Sequence, residues 1–392
     1  MHRRIDTTII IIAIALSLSG LLMIFSTAGL DYTLKQAIEL VICLILAYLC
    51  SRISPRIWSN LSPFIYATAI ILLILILFLH GVYPRRWFRI GELSIQPSEI
   101  AKFATILLLA NFLAGQKKMK TFSSMIVPII ICALPALLVF VEPDLGAAQI
   151  FFPILLIMLY WAGVPAPKIF ILFSPLVSAV ASLSIYVWVG YIIALAIFLY
   201  FRKQLSDLIY GLVSNSFVGL LMPVLWNSLR HYQQKRIISF LSPWLDPQGM
   251  SWQIIQSKIA IGSGKFLGKG FLSGTQKKLA FLPERHTDFI FSCLGEEFGL
   301  LGIIVVTGLY LFLFYRILRL ARETRNRFAS IYVIGVLAWL GYQTFLNMGM
   351  TMGLLPITGV PLPFLSYGGS ALISCFIAIG LCLTISRTKL EY

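Results

Sequence analysis

The sequence predicts an all-α fold, a polytopic bundle of membrane-spanning helices with one long loop outside the membrane. Three observations predict it. Of 392 residues, 59% are hydrophobic and 12% charged, with a mean hydropathy of +0.91; a soluble domain carries about twice that charged fraction. Apolar runs of about twenty residues, the length a helix needs to cross a bilayer, recur along the chain. One stretch, 229–287, interrupts the pattern with a basic, Lys-, Gly- and Gln-bearing sequence. Backbone in lipid must satisfy its own hydrogen bonds, so the runs are read as helices. Residues 1–392 form one membrane domain, because no stretch between runs is long enough for a core of its own.

The runs fall at 8–29, 34–50, 61–81, 97–114, 123–141, 146–162, 168–185, 187–201, 207–228, 288–315, 329–350 and 364–385. That gives about twelve spans, or ten if the region 165–205 is not an extra hairpin. The first run is too long for a signal peptide and reads as a retained span. Alternate short loops are basic: MHRRID, SRISPR, QKKMK, the Lys168 region, FRKQLSD, YRILRLARETRNR and the SRTK tail. The positive-inside rule then puts both termini in the cytoplasm and the 229–287 loop on the outer side, with ten spans or twelve. That loop holds nine Lys or Arg against two acids. Within it, Trp252, Ile255 and Ile259 share one helical face, which suggests a helix lying in the interface.

The formal net charge of +16 suits anionic lipid headgroups and basic cytoplasmic loops, with no nucleic-acid partner required. The six cysteines sit singly in apolar runs, and the four histidines form no cluster. Neither pattern suggests a disulfide framework or a metal site.

Fifteen carboxylates are few enough to audit. Asp288 closes the polar loop where the next apolar run begins, behind Glu284, Arg285, His286 and Thr287. At that position it is either a helix N-cap or, with proton affinity raised by nearby lipid, a general base. Glu296 and Glu297 lie roughly 12 Å further along the helix. Glu99 and Lys102 are three apart on one span face, either a buried packing pair or part of a cavity wall. Asp144 either caps the next helix or, with Glu142, faces the cavity. The Gly262–Gly270 stretch GSGKFLGKG departs from the Walker pattern at Ser263 and Gly270; Lys265 and Lys269 beside flexible glycines either wrap a pyrophosphate or are solvated loop lysines. Arg86 and Trp87 precede GELSIQPSE on the outer side, where Trp is commonly an interfacial anchor. Gly368 and Gly369 in PLPFLSYGGSALI permit close helix or ligand approach.

Taken together, RRWFRIGELSIQPSE with Lys102, EPDLGAA, DPQG, QSKIAIGSG, GKG, GTQ, LPERHTDFIFS with Glu296 and Glu297, Asn347-Met-Gly-Met and PLPFLSYGGSALI resemble the SEDS family, in its RodA branch rather than its FtsW branch. They run in family order from about residue 82 to the end. The resemblance implies a peptidoglycan glycosyltransferase in the bacterial plasma membrane. It would polymerise lipid II at the outer face beside a class B penicillin-binding protein within the rod-shape machinery. Asp288 takes the place of the family's essential loop aspartate, and Glu99 with Lys102 its QPSE-K pair. An α-linked donor and a β-linked product imply one inverting displacement. Asp288 would be the base; Lys265, Lys269, Arg285 and Arg86 would stabilise the departing pyrophosphate. A divalent cation, Mg or Mn, could share that work, although no ligand cluster is evident. Glu99, Lys102, Glu142 and Asp144 would shape the cavity, and the matched motifs add Trp87, Gln276, His286 and Ser366 to the substrate-binding set. Glu142, Ala147, Lys265 and Ser242 depart from the family's usual residues, and the family usually has ten spans. Two other classes fit less well: a lipid II transporter and a non-catalytic scaffold for the penicillin-binding protein.

Overall fold

The structure is a computed structural model that describes residues 6–78, 86–90, 93–116, 121–201, 204–228, 250–275 and 284–388, with positions 234 and 238. Helices α1 (Thr7–Ala28), α2 (Leu30–Arg52) and α3 (Pro55–Phe78) run back and forth from the N-terminus. Asp6 caps α1 through Thr8 N–H at 3.2 Å, and Gly29 (φ 89°) turns the chain into α2. Two three-residue strands follow, β1 (Phe88–Ile90) and β2 (Leu93–Ile95), paired antiparallel. The sequence reading missed this hairpin, because three residues per strand are too few to show a period of two.

Then come α4 (Pro97–Gly115), α5 (Ile126–Val141), α6 (Leu145–Trp161), α7 (Ala166–Ala181), α8 (Ile185–Phe201), α9 (Leu205–Ser228) and α10 (Met250–Ser263). The chain ends with α11 (Ile290–Glu323), α12 (Arg327–Thr351) and α13 (Gly369–Thr388). Among the described residues, nine helices are long and apolar enough to cross a membrane. The other three apolar helices are α6, α7 and α8. At 16 residues, α7 spans about 24 Å, short of a hydrocarbon core of about 30 Å. The suspected hairpin is therefore helical but short. With α9 it forms a three-helix unit joined by hydrogen bonds: Asn215 Nδ2 donates to Ser174 Oγ (2.7 Å), and Trp188 Nε1 to Ser178 Oγ (2.9 Å).

The core is built around α4, α12 and α13, buried on most sides; Trp339, Tyr332, Phe376 and Ile106 lie within it. The outer helices present large apolar side chains outward, among them Phe64, Phe78, Phe201 and Phe217. That arrangement suits a lipid surround. At one end, Asp6 N–H donates to Ser386 Oγ (3.1 Å) and Arg316 Nη2 lies 2.5 Å from Asp6 Oδ2, tying both chain ends and α11 together. The starts of α2, α4, α6, α11 and α13 gather at the opposite end.

Candidate functional site

At that opposite end, residues 284–289 form a tight turn. The Glu284 carbonyl accepts from the N–H groups of Thr287 (3.2 Å), Asp288 (3.1 Å) and Phe289 (3.3 Å). Phe289 is the N-cap of α11, so Asp288 precedes the helix and is not its cap. Three neighbours hold the turn by consecutive carbonyls. Tyr367 N–H donates to His286 O (2.9 Å), Ser366 Oγ to Thr287 O (2.6 Å) and Asn347 Nδ2 to Asp288 O (2.9 Å). A second Asn347 bond, to Val360 O (2.8 Å), fixes that amide. With its main chain held at this point, the turn places Asp288 on the lining of a cavity of about 990 Å³.

One wall is α2, through Tyr32, Lys35, Glu39 and Ile42. A second carries Arg86, Trp87, Ser94 and Gln96, which the β-hairpin brings beside Asp144. The turn adds Glu284, His286 and Thr287, and Pro361, Tyr367 and Gly369 also line it. Arg86 donates to the Glu142 and Pro143 carbonyls and lies 3.7 Å from Asp144 Oδ2. Asp144 does both things its position allows: Oδ1 caps α6 at Ala147 N–H (3.1 Å), while Oδ2 accepts from Gln96 Nε2 (3.1 Å) at the cavity.

Glu142 sits just behind this wall, 1% exposed, with neither carboxyl oxygen hydrogen-bonded. Burial, and then the charge of Asp144, push its pKa up to about 8 against the pull of Arg86, so the carboxyl is mostly protonated at neutral pH. Burial holds His286 below its usual value, opposed by Glu284. Its neutral ring packs between Tyr32 and Tyr367, with centroids 5.2 and 5.6 Å away.

Glu99 and Lys102 lie outside the cavity lining. Both are buried, with Nζ 2.7 Å from Glu99 Oε1, 3.1 Å from Gln343 Oε1 and 5.2 Å from the Trp339 ring centroid. Gln343 in turn donates to Pro361 O (2.9 Å), so the pair supports the cavity wall from behind. Ser366 also works from behind, since its hydroxyl is engaged by Leu362 N–H (2.8 Å) and Thr287 O.

The glycine-rich lysine stretch does not reach the cavity either. It docks where α11 breaks at Gly299 (φ 63°). Leu300 N–H donates to Lys265 O (2.9 Å) and Lys269 N–H to Glu296 O (3.0 Å), replacing bonds the break removes. Lys269 Nζ pairs with Glu296 Oε1 at 2.7 Å, an atom that also accepts from Thr275 N–H and Oγ1. Ser26 Oγ donates to Glu297 at 2.5 Å. Lys265 is exposed, and Arg285, half-buried, is not part of the lining. Gln276 lies outside the described residues. The loop helix α10 turns Ile254, Ser257 and Ala260 inward against α11, leaving Trp252 and Ile259 outward.

Sequence reasoning passed over Tyr32, Lys35, Gln36 and Tyr367. A signal existed in α2, where Glu39 is an ionisable residue inside an apolar run with Lys35 one turn before it. Among the described residues, no group of three or more His, Cys, Asp or Glu side chains is placed to hold a metal ion.

Fold and site together define a multi-pass helical membrane protein with a polar, carboxylate-lined cavity at one end. The chain belongs to the FtsW, RodA and SpoVE family, described as cell cycle proteins, which matches residues 6–209 and 182–391. The two matched stretches overlap at 182–209, which takes in the second helix of the extra hairpin. The chain is 35% identical to the peptidoglycan glycosyltransferase MrdB of Escherichia coli K12, covering 97% of this chain and 93% of that protein. It is also 35% identical to the peptidoglycan glycosyltransferase RodA of Treponema pallidum, over 98% of both. A solved structure described as the structural coordination of polymerization and crosslinking by a peptidoglycan synthase complex superposes with a TM-score of 0.74 at 25% identity, covering 99% of each chain.

Proposed function

We infer that this chain is a peptidoglycan glycosyltransferase that polymerises lipid II at the outer face of the plasma membrane, in support of cell elongation. The observation that carries the reading is the placement of Asp288 on the wall of a cavity large enough for a saccharide, with its backbone held by Asn347. Asp288 takes the proton from the acceptor sugar hydroxyl as that oxygen attacks the anomeric carbon of the donor. The donor's pyrophosphate leaves from the opposite face, inverting the centre. Arg86, oriented by two backbone carbonyls, offers positive charge to the departing group, and a divalent cation carried with the pyrophosphate would share that role. Glu99, Lys102, Glu142 and Ser366 hold the walls; Trp87 and His286 offer flat surfaces to the sugars.

The basic segments at the Asp6 and Arg316 end support a cytoplasmic placement of that end, which faces the cavity outward. A class B penicillin-binding protein would take the strands for crosslinking. The test is glycan polymerisation from lipid II by the purified chain in detergent, with and without such a partner. Detergent leaves no membrane to cross, so polymer formation separates the enzyme from a transporter. A folded protein that makes no polymer in either condition would overturn the reading.

A further inference from the structure

We propose that Lys35 of α2 is the cation that receives the pyrophosphate of the lipid-linked substrate, with Ile38 and Ile42 below it guiding the isoprenoid into the membrane. The inference rests on the glycosyltransferase reading and adds a binding residue to it.

The chemistry of the substrate class sets the requirement. A sugar pyrophosphate on an isoprenoid is wet at the sugar and apolar at the tail, so its phosphates must sit at the lipid–water boundary. Lys35 is the sixth residue of α2, about 8 Å from that helix's cavity-end terminus at 1.5 Å per residue. Its side chain lines the same cavity as Asp288. Ile38 and Ile42 follow at i+3 and i+7 on the same face, one and two turns deeper, and line the cavity too. Both are exposed. A cation above an apolar track matches the phosphate–tail junction.

The wall is also fixed relative to the reacting carboxylate. Gln36 accepts from Gly368 N–H (3.2 Å) and donates to Ser366 O (3.5 Å). Ser366 holds the turn through Thr287 O. The α2 backbone beside Lys35 is thereby linked to the Asp288 turn through Gln36 and Ser366. Glu39, one turn below, presses its carboxyl against Gly369 at the amino end of α13, where a Cβ would collide with it. That helix end offers Glu39 its own positive partial charge, so Lys35 is not its sole counter-charge. Arg86, bonded to two carbonyls beside Asp144, adds a second positive charge on the facing wall. Across the lining, among the described residues, four carboxylates (Glu39, Asp144, Glu284 and Asp288) face Lys35 and Arg86. A pyrophosphate would be repelled by the carboxylates and drawn to these two cations, of which Lys35 is the one that stands above the apolar track.

The experiment uses the full chain in detergent, in two assays. One measures KM and kcat for lipid II polymerisation. The other compares binding of undecaprenyl pyrophosphate with that of undecaprenol, which has the tail without the charge. Wild type should favour the pyrophosphate at least tenfold. Lys35→Ala should raise KM at least tenfold with kcat changed less than threefold, and lose the pyrophosphate preference; Lys35→Arg should restore both to within threefold. If the alanine variant does not fold, Lys35→Gln, which keeps length and polarity, carries the same expectation. An unchanged KM and preference in a folded Lys35→Ala or Lys35→Gln protein would overturn the proposal, as would a fall in kcat alone. Wild-type protein that prefers the pyrophosphate yet makes no glycan would remove the glycosyltransferase reading and leave the anion site standing.

Discussion

Glu142→Gln should make the protein more stable at alkaline pH. The buried carboxyl rises from its ordinary 4.5 to about 8 in the fold, through burial and the neighbouring Asp144. An acid raised in this way keeps its proton in the native state while the unfolded chain loses it. Stability is therefore unaffected below about pH 4.5, falls as pH climbs toward 8, and levels off above. Each pH unit across that window removes about 1.36 kcal/mol, so the loss is at most roughly 4–5 kcal/mol. Glutamine is neutral throughout and has nearly the same shape. The assay is the unfolding midpoint in detergent between pH 4.5 and 9. At about 1–2 °C per kcal/mol for a chain of this size, wild type should lose several degrees more than Glu142→Gln, and the two should converge at the acid end. Parallel curves for the two proteins would show that Glu142 ionises normally and that the burial argument is wrong.

Three further substitutions address the supports of the site. Lys102→Met leaves Glu99 as a buried unpaired charge and should destabilise by about 3–5 kcal/mol; the double variant Glu99→Gln/Lys102→Met should regain most of that in the same unfolding assay. Gly299→Ala forces a Cβ onto the backbone of Phe266 and Gly268 at a positive φ. It should cost about 1–3 kcal/mol and make the 264–275 stretch more susceptible to limited proteolysis. Asn347→Leu removes the bond to the Asp288 carbonyl and should lower kcat on lipid II about tenfold or more, with a smaller change in KM.

Much of the fold was legible because the bilayer simplifies it. A run of apolar residues with a basic loop at alternate ends needs no tertiary information to read as a helix. The elements that were missed or blurred are those shaped by the cavity. The 88–95 hairpin is too short to carry a period. The last helix begins at Gly369 rather than 364, because the chain from Gly359 to Gly368 is irregular where it lines the cavity and holds the Asp288 turn. Asp288, Arg86, Asp144 and His286 stood out as polar residues at the ends of apolar runs, and the fold gathers them around one cavity. Lys265 and Lys269 looked like phosphate ligands because glycines flanked them. Those glycines instead let backbone pack into the Gly299 break, a long-range fact no local pattern reports. Lys35 had only a faint local signal, Glu39 one turn further along an apolar run, because the facing wall of the cavity comes from distant parts of the chain.

Asp288 is proposed to remove a proton from the acceptor sugar. Asp288→Asn keeps the side chain's shape and removes the base, so the decisive measurement is the single-turnover rate of glycan extension by the purified, folded variant with saturating lipid II. A loss of about 10²–10⁴-fold is expected, with undecaprenyl pyrophosphate binding retained. Extension at the wild-type rate by a correctly folded Asp288→Asn protein would contradict it.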